Sequence, residues 1–254
     1  MPKLDRDGVQ IHYEVHGAGP AILLSHGYSA TCRMWDGQIA ALKDDYKVIV
    51  WDMRGHGESD YPRDPKAYSE ALTVADMAAL LKACGEKAAI IGGLSLGGYM
   101  SLAFNATHPD MTRALMLFDT GPGFKSDEAR AQWNATARKR ADDLEARGLD
   151  ALGTSDEVRL GQHRSADGLA GAARGMLAQA DDRVIRSLEG IKVPTLVLVG
   201  SEDKNFLAAT DYMAKKIPRT MKATIDGAGH AANLHKPTAF NAAVTTFLGG
   251  LITA

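Results

Sequence analysis

The sequence predicts a single α/β fold, with a mostly parallel, doubly wound sheet and a helical insertion near the middle of the chain. Short runs rich in Val, Ile and Leu alternate with longer helical patterns along the 254 residues. Several runs are apolar at nearly every position, which is typical of parallel strands covered on both faces. About seventy residues separate two of the later strands, whereas an ordinary βα loop has about two to six. This long connection therefore contains structure of its own.

The individual elements follow from these runs. Strands are predicted at 9–15, 21–27, 47–52, 88–93, 114–119, 195–200 and 221–227. Helices are predicted at 31–44, 73–84, 97–107, 207–216 and 237–249, which is the alternation expected of parallel strands joined by right-handed crossovers. The second helix carries signals at both ends, because Thr73 and Asp76 have the spacing of a capping box and Gly85 can end the helix.

The long connection divides the chain into two parts. Residues 1–121 and 189–254 are predicted to form the core, and residues 122–188 a helical cap inserted in it. Two stretches of the cap, ARAQWNATARKRADDLEARG and GLAGAARGMLAQADDRVIRSLEG, have helical patterns. Its apolar side chains Trp133, Met176 and Leu177 are candidates to line a pocket.

Charge, hydropathy and cysteine content exclude several classes of function. Lys and Arg number 29 against 31 Asp and Glu, with no basic block, so we expect no nucleic-acid partner. The start MPKLDRDG is charged, and no apolar run approaches the roughly 20 residues that span a bilayer, so we expect a cytoplasmic protein with no membrane partner. Cys32 and Cys84 lie in no C-x-x-C or Cys/His cluster, so neither a disulfide framework nor a metal site is expected. No cofactor is expected either.

The stretch IIGGLSLGGY surrounds Ser95 with four glycines. Gly93 and Gly97 complete the pattern G-x-S-x-G, in which a strand turns sharply into a helix and exposes the serine oxygen. A predicted buried strand precedes the serine and a helical pattern follows it, which is the context that this turn requires. The sequence therefore predicts that Ser95 is a nucleophile rather than part of a glycine-rich surface turn.

A serine nucleophile needs a base that takes its proton and an acid that orients the base. Four histidines fall on loops at the expected end of the sheet, namely His26, His56, His230 and His235. His230 is the preferred base because it ends the glycine-rich loop DGAGH after the last predicted strand. Arg54 and His56 stand in the segment DMRGHGES, for which we predict a structural role that ties loops together.

Four motifs together resemble the α/β-hydrolase superfamily, in particular its small capped esterases and lactonases, over nearly the whole chain. The motifs are SHGY at 25–28, DMRGHGES at 52–59, GLSLG at 93–97, and GSED at 200–203 together with GH at 229–230. The resemblance implies a Ser, acid, His order along the chain and an acid in the loop after the strand that follows the cap. That acid is Asp203, with Glu202 and Asp119 as nearby alternatives.

The resemblance also implies an oxyanion hole formed by the backbone N–H groups of Tyr28 and Leu96. The expected reaction is acyl transfer on a small-molecule substrate, a small or medium-chain carboxylic ester, through an acyl-enzyme. A lactonase acting on acyl-homoserine lactones or enol-lactones would use the same residues, and a carbon–carbon hydrolase or a cofactor-free perhydrolase would use most of them. A ligand receptor on a hydrolase fold is an alternative of another class.

Overall fold

The computed structural model describes residues 2–252 and contains one eight-stranded sheet with helices on both faces. The strands are β1 (Lys3–Arg6), β2 (Val9–His16), β3 (Ala21–Ser25), β4 (Lys47–Trp51), β5 (Ala89–Leu94), β6 (Thr112–Phe118), β7 (Thr195–Gly200) and β8 (Thr220–Ile225). Their order across the sheet is β1-β2-β4-β3-β5-β6-β7-β8. Strands β4 to β8, with β3, are parallel, while β1 and β2 run antiparallel at one edge. The predicted mostly parallel α/β fold is confirmed.

Burial on both faces explains the apolar composition of the central strands. Every residue of β3, β5 and β7 is buried. Successive side chains of a strand point to opposite faces, so Ile22 and Ile90 pack in one hydrophobic cluster while Leu23 and Ile91 pack in the other. The two clusters hold the sheet between its two layers of helices.

Ten α-helices are assigned within the described residues. They are α1 (Asp36–Leu42), α2 (Glu70–Ala83), α3 (Leu96–Thr107), α4 (Asp127–Arg147), α5 (Asp156–Leu160), α6 (Ala166–Ala172), α7 (Arg183–Ser187), α8 (Leu207–Lys216), α9 (Ala232–His235) and α10 (Pro237–Ile252). Short 3₁₀ turns cover Cys32–Trp35, Pro65–Ala67, Pro109–Met111, Gly148–Ala151 and Leu188–Gly190, and a π-helical turn continues α6 over Ala173–Leu177. None of the helices in the described part of the chain is long and apolar enough to cross a membrane.

Helix α2 begins earlier than the sequence predicts, and the capping box expected at Thr73 and Asp76 is wrong. The N-cap is Ser69, whose hydroxyl oxygen accepts a hydrogen bond from the backbone N–H of Leu72 at 3.1 Å. Asp76 is instead buried inside the helix and accepts two hydrogen bonds from the Arg54 guanidinium, at 2.6 and 2.9 Å. Because a buried guanidinium without a carboxylate partner is costly, Asp76 pairs with Arg54 and does not cap the start of the helix.

The segment between β6 and β7 contains α4 to α7, and we call it the cap. Helix α4 is tied to the turn after α6, because Trp133 donates its indole N–H to the carbonyl oxygen of Leu177 at 2.8 Å. The Asn134 amide bonds to both the backbone N–H and the carbonyl oxygen of Gln179, each at 2.8 Å. Several hydrogen bonds join cap and core, among them those from the Tyr28 hydroxyl to the carbonyl oxygen of Leu169 at 2.8 Å and from the Arg164 guanidinium to the carbonyl oxygen of Gly57 at 3.2 Å.

Candidate active site

Ser95 occupies the sharp turn between β5 and α3. Its backbone has φ 55° and ψ −114°, a left-handed conformation that a residue with a side chain rarely adopts. Two hydrogen bonds hold it there: the Ser95 N–H donates to the carbonyl oxygen of Phe118 at 2.9 Å, and the Thr120 hydroxyl donates to the carbonyl oxygen of Ser95 at 2.6 Å. Strain that is held in this way is typical of functional residues.

The glycines around Ser95 are required by close packing of the turn. A Cβ on Gly97 would collide with the carbonyl oxygen of Ser25, and a Cβ on Gly93 would lie 2.6 Å from the same oxygen. A Cβ on Gly98 would lie 2.6 Å from the Thr120 side chain. Larger residues would therefore push the turn away from the end of β3 and expose the serine differently.

Asp203 and His230 follow the neighbouring strands β7 and β8. His230 Nδ1 lies 2.7 Å from Asp203 Oδ2, and Asp203 is only 4% exposed. A backbone hydrogen bond from Glu202 N–H to the carbonyl oxygen of Ala228, at 2.9 Å, holds the two loops together. The His230 ring also stacks on Phe206, with the centroids 5.1 Å apart. With Nδ1–H donated to the carboxylate, the lone pair of Nε2 is free to accept a proton.

The surroundings of His230 favour its protonated form. Burial lowers the pKa of the imidazole, but the hydrogen bond and charge of Asp203, together with the charges of Asp119 and Glu157, outweigh this effect. The net result is a pKa above the ordinary histidine value. Such an imidazole can hold the proton that a serine gives up during attack on a carbonyl.

Ser95 and His230 line one cavity of about 780 Å³ between the core and the cap. The cap contributes Trp133 and Leu177 to the lining, as the sequence predicts. The expectation for Met176 is wrong, because its side chain is fully buried in a hydrophobic cluster and does not line the cavity. The unbranched methionine fills the space under the cap rather than contacting a ligand.

The predicted oxyanion donors lie beside Ser95. Gly27 passes so close to the turn that a Cβ there would be 3.6 Å from the Ser95 Cβ, and Tyr28 follows it directly. Leu96 begins α3, so its N–H is at the positive end of that helix. Within the described residues neither N–H donates to another protein group, which leaves both amides available to an oxyanion.

The two alternative acids are held differently from Asp203. Asp119 is fully buried, and its Oδ1 accepts the backbone N–H of Gly200 at 2.8 Å. Glu202 is exposed. Of the three candidates, Asp203 is the one that bonds to His230, so the geometry favours it as the acid.

Comparison with known proteins assigns the family. A family model described as "Alpha/beta hydrolase family" matches residues 22–243 of this chain, which includes every candidate site residue. The chain belongs to the alpha/beta hydrolase family. This alpha/beta hydrolase is 29% identical to 3-oxoadipate enol-lactonase 1 of Acinetobacter baylyi, over 93% of its own length and 92% of that protein.

Two solved structures are similar along their whole length. A thermophilic esterase from Thermogutta terrifontis, with malate bound, superposes with a TM-score of 0.87 at 26% identity and covers 99% of both chains. The enol-lactonase from Burkholderia xenovorans superposes with a TM-score of 0.79 at 26% identity, covering 98% of this hydrolase and all of that chain.

Three histidines of the hydrolase, His26, His56 and His163, form what we call the histidine cluster. It contacts the loop of residues 27–29, which we call the oxyanion loop after the donor predicted there, and His26 and His56 are fully buried while His163 is partly buried. Their ring centroids are 4.8 and 5.6 Å apart in succession. His26 accepts the N–H of Met53 at 2.9 Å and donates to the carbonyl oxygen of Gly27 at 2.7 Å. Burial lowers the pKa of all three, that of His26 to about 4 despite the opposing charge of Asp52, so the cluster is neutral at pH 7.

The histidine cluster joins the oxyanion loop to the cap, which the sequence did not indicate. His56 accepts the backbone N–H of Ser29 at 3.3 Å, and its other ring nitrogen donates to the carbonyl oxygen of Arg54 at 3.0 Å. His163, from the cap, donates to the carbonyl oxygen of Ser29 at 2.9 Å. The predicted structural role of His56 agrees with these contacts, whereas His163 has no motif that marks it.

His235, the remaining candidate base, supports the loop that carries His230. Its Nδ1 accepts the backbone N–H of Gly229 at 3.0 Å. One group of three potential metal ligands occurs in the described residues, formed by His12, Glu14 and Cys32. Arg33 forms an ion pair with Glu14, and burial raises the pKa of the Cys32 thiol, so this group suits a cation poorly.

Two side chains that line the cavity carry full charges, Arg140 and Glu157. The Arg140 guanidinium lies over the Tyr28 ring, 5.4 Å from its centroid, and forms no ion pair within residues 2–252. Glu157 accepts a hydrogen bond from the Ser155 hydroxyl at 2.7 Å. Most of the other lining side chains are neutral, including Tyr28, Trp133 and Phe206. A cationic group thus stands on the Tyr28 side of the cavity with its charge available.

Proposed function

We propose that this alpha/beta hydrolase cleaves carboxylic esters through an acyl-enzyme on Ser95. The observation that carries the proposal is the 2.7 Å hydrogen bond between His230 and the buried carboxylate of Asp203, at the cavity that Ser95 lines. A nucleophile in a strained turn, a base with a free Nε2 and two unpaired amides form the set of groups that acyl transfer needs.

The proposed mechanism has two halves, each with one proton cycle. His230 Nε2 takes the Ser95 hydroxyl proton as the serine oxygen attacks the ester carbonyl, and the Tyr28 and Leu96 amides donate to the resulting oxyanion. The imidazolium then gives its proton to the departing alcohol as the carbon–oxygen bond breaks. Water attacks the acyl-enzyme, gives a proton to His230 and releases the acid, and the same proton returns to Ser95. Asp203 stabilises the imidazolium in both halves.

The cavity supports small or medium-chain substrates. Its volume of about 780 Å³ lies within the range of small-molecule sites, and its lining includes the apolar rings of Trp133, Phe124 and Phe206. The similar Thermogutta terrifontis structure is described as an esterase, which agrees with an ester substrate.

A lactonase is the second candidate function, and Arg140 favours it. The relatives from Acinetobacter baylyi and Burkholderia xenovorans are named enol-lactonases, the first for 3-oxoadipate, which is a dicarboxylic acid. An unpaired guanidinium that faces the cavity can bind such a carboxylate with two parallel hydrogen bonds. We therefore propose that the preferred ester or lactone carries a second, ionised carboxyl group.

A matched substrate panel tests the ester and lactone proposals together. Methyl hexanoate and monomethyl adipate have the same chain length and differ in the terminal carboxylate, and a neutral and a carboxylated lactone form a second pair. We expect higher kcat/KM for the carboxylated member of each pair. The ratio of lactone to ester turnover then ranks the two functions, and turnover too slow to measure on every substrate would favour the ligand receptor.

The role of Arg140 is tested separately by Arg140→Gln. We expect it to lower kcat/KM on the carboxylated substrates by about tenfold or more and to leave the neutral ones nearly unchanged. Arg138→Gln is the matched control, because Arg138 is exposed on the same helix and does not line the cavity. Equal losses on both kinds of substrate would contradict the carboxylate site.

A further inference from the structure

Asp119 is a buried carboxyl beneath the candidate active site that the proposed mechanism does not use. It follows β6 directly, it is fully buried, and its backbone φ is 46°, in the left-handed region. Ser95 also has a positive φ. Two such residues with side chains are held close together here, and backbone strain of this kind persists only where the surroundings enforce it.

The residues on either side of Asp119 hold the nucleophile. The carbonyl oxygen of Phe118 accepts the Ser95 N–H at 2.9 Å, and the Thr120 hydroxyl donates to the Ser95 carbonyl oxygen at 2.6 Å. Asp119 itself donates its backbone N–H to Leu198 in β7, also at 2.9 Å. The backbone around Asp119 therefore links the Ser95 turn to the strand that leads to Asp203.

The Asp119 side chain extends this link to the other two loops. Its Oδ1 accepts the backbone N–H of Gly200 at 2.8 Å, and the carbonyl oxygen of Gly200 accepts the Asp203 N–H at 3.1 Å. The backbone amide of Ala232, two residues after His230, also acts on the carboxyl. One carboxyl thus accepts a hydrogen bond from the loop of Asp203 and lies near the backbone that follows His230, while its Oδ2 is buried with no hydrogen-bond partner among the described residues.

We propose that Asp119 is a positioning residue that fixes the loops of Asp203 and His230 and, when ionised, increases the proton affinity of His230. The proposal rests on the proposed function, because it assigns His230 the role of base. It gives this site two carboxylates behind one imidazole, a direct partner in Asp203 and a more distant one in Asp119.

The Asp119 carboxyl gains or loses its proton near neutral pH, where an ordinary aspartate is fully ionised. Burial raises its pKa to about 7, the nearby Asp203 acts in the same direction, and the amides of Gly200 and Ala232 and the charge of His230 oppose it. The charged groups that face His230 are Asp203, Asp119 and Glu157. Of these three, Asp119 is the one whose observed hydrogen bond comes from a backbone amide, that of Gly200.

The variant Asp119→Asn separates charge from geometry. Asparagine tolerates the left-handed backbone, and its carbonyl oxygen can still accept the Gly200 N–H, but it has no charge. Without the ionised carboxyl, the imidazolium of His230 is less stable and the pKa of His230 falls. We expect the acid limb of the profile of kcat/KM against pH to move to lower pH, by about half a unit or more.

Glu202→Gln is the matched control, because Glu202 lies in the loop of Asp203 but is exposed. It should leave the acid limb in place. If Asp119→Asn lowers kcat/KM equally at every pH and leaves the limb unmoved, the residue is only structural and the proposal is overturned. A loss of turnover as large as that of Asp203→Asn would also overturn it, because Asp119 would then be the triad acid itself.

A second measurement keeps this inference distinct from the proposed function. The pKa of His230 can be read directly by NMR titration of its imidazole in the unmodified protein and in Asp119→Asn, with or without turnover of any ester. A lower pKa in the variant supports the proposal even if no ester is hydrolysed, and an unchanged pKa overturns it even if ester hydrolysis is rapid.

Discussion

His230 lines the cavity and the histidine cluster packs against Tyr28, which lines the same cavity, yet the hydrogen-bond partners of the two regions differ. His230 bonds to the carboxylate of Asp203, and its pKa is raised. His26, His56 and His163 bond mainly to backbone N–H and carbonyl groups, and burial lowers the pKa of each. The comparison teaches that a partly exposed histidine with a directly bonded carboxylate keeps a high proton affinity, whereas at fully buried His26 burial prevails even over the charge of Asp52.

This difference in hydrogen-bond partners gives the two regions different roles. The loops of Asp203 and His230 hold a group that is suited to take and return protons. The histidine cluster keeps neutral rings under the loop that carries Tyr28, where each ring nitrogen has a fixed backbone partner. A proton on any of these rings would break one such hydrogen bond, because both nitrogens of an imidazolium are donors.

The largest expected effect comes from removing the negative charge of Asp203, the partner that distinguishes His230 from the histidine cluster. Asp203→Asn keeps the shape of the side chain but favours the wrong imidazole tautomer, which in the serine-protease template costs about ten-thousandfold in turnover. We expect a loss of that order in kcat, with the fold retained by circular dichroism. Glu202→Gln is the control and should retain activity. A loss from Asp119→Asn that exceeds the loss from Asp203→Asn would show that the acid is misassigned.

The pH dependence of the free energy of unfolding tests whether the histidine cluster is neutral. A histidine with a lowered pKa in the folded state binds its proton more readily when unfolded, so its contribution to stability is full above pH 6.5 and is lost as pH falls. For His26 the loss continues to about pH 4. Each such histidine lowers the free energy of unfolding by up to about 1.4 kcal/mol per pH unit in that window.

Urea unfolding at pH 7 and at pH 5.5 measures this dependence. We expect the protein to be less stable at pH 5.5 and His56→Gln to show a shallower pH dependence than the unmodified chain, whatever its stability at pH 7. Equal pH slopes for the two proteins would contradict the neutral state that we assign to His56.

The smallest expected effect concerns the bond between the oxyanion loop and the cap. Tyr28→Phe removes the hydrogen bond to the carbonyl oxygen of Leu169 but keeps the backbone N–H that we assign to the oxyanion. We expect a loss of about 1 kcal/mol in the free energy of unfolding and little change in kcat. A hundredfold loss of kcat, the size seen when a true oxyanion donor is removed, would instead give the Tyr28 hydroxyl a part in the chemistry.

Local signals made part of the site predictable from the sequence. The glycines around Ser95 encode the turn directly, since a Cβ at those positions collides with neighbouring backbone. His230 was predicted from its glycine-rich loop after the last strand and Asp203 through the family resemblance. The structure places both after adjacent parallel strands, whose carboxyl ends meet at one edge of the sheet. The parallel sheet itself was visible as runs of apolar residues buried on both faces.

The remaining features could not be predicted because they depend on contacts between residues far apart in the sequence. His163 lies more than a hundred residues from the oxyanion loop that it contacts, and nothing in its neighbourhood marks it. Asp76 has the spacing of a helix cap but serves Arg54, so a tertiary ion pair overrode the local pattern. Strand β1 is mostly polar, and its pairing with β2 decides its conformation. Met176 lies in the same helical stretch as Leu177, which lines the cavity, but its own side chain packs in a hydrophobic cluster.

Covalent labelling of the nucleophile tests the central claim most directly. A fluorophosphonate probe followed by peptide mapping should give a single adduct, on Ser95, because only a serine activated by a neighbouring base attacks such a probe rapidly. The variants Ser95→Ala and His230→Gln, checked for folding by circular dichroism, should give no rapid adduct. An adduct on another residue with Ser95 unmodified, or equal labelling of the Ser95→Ala variant, would contradict the account.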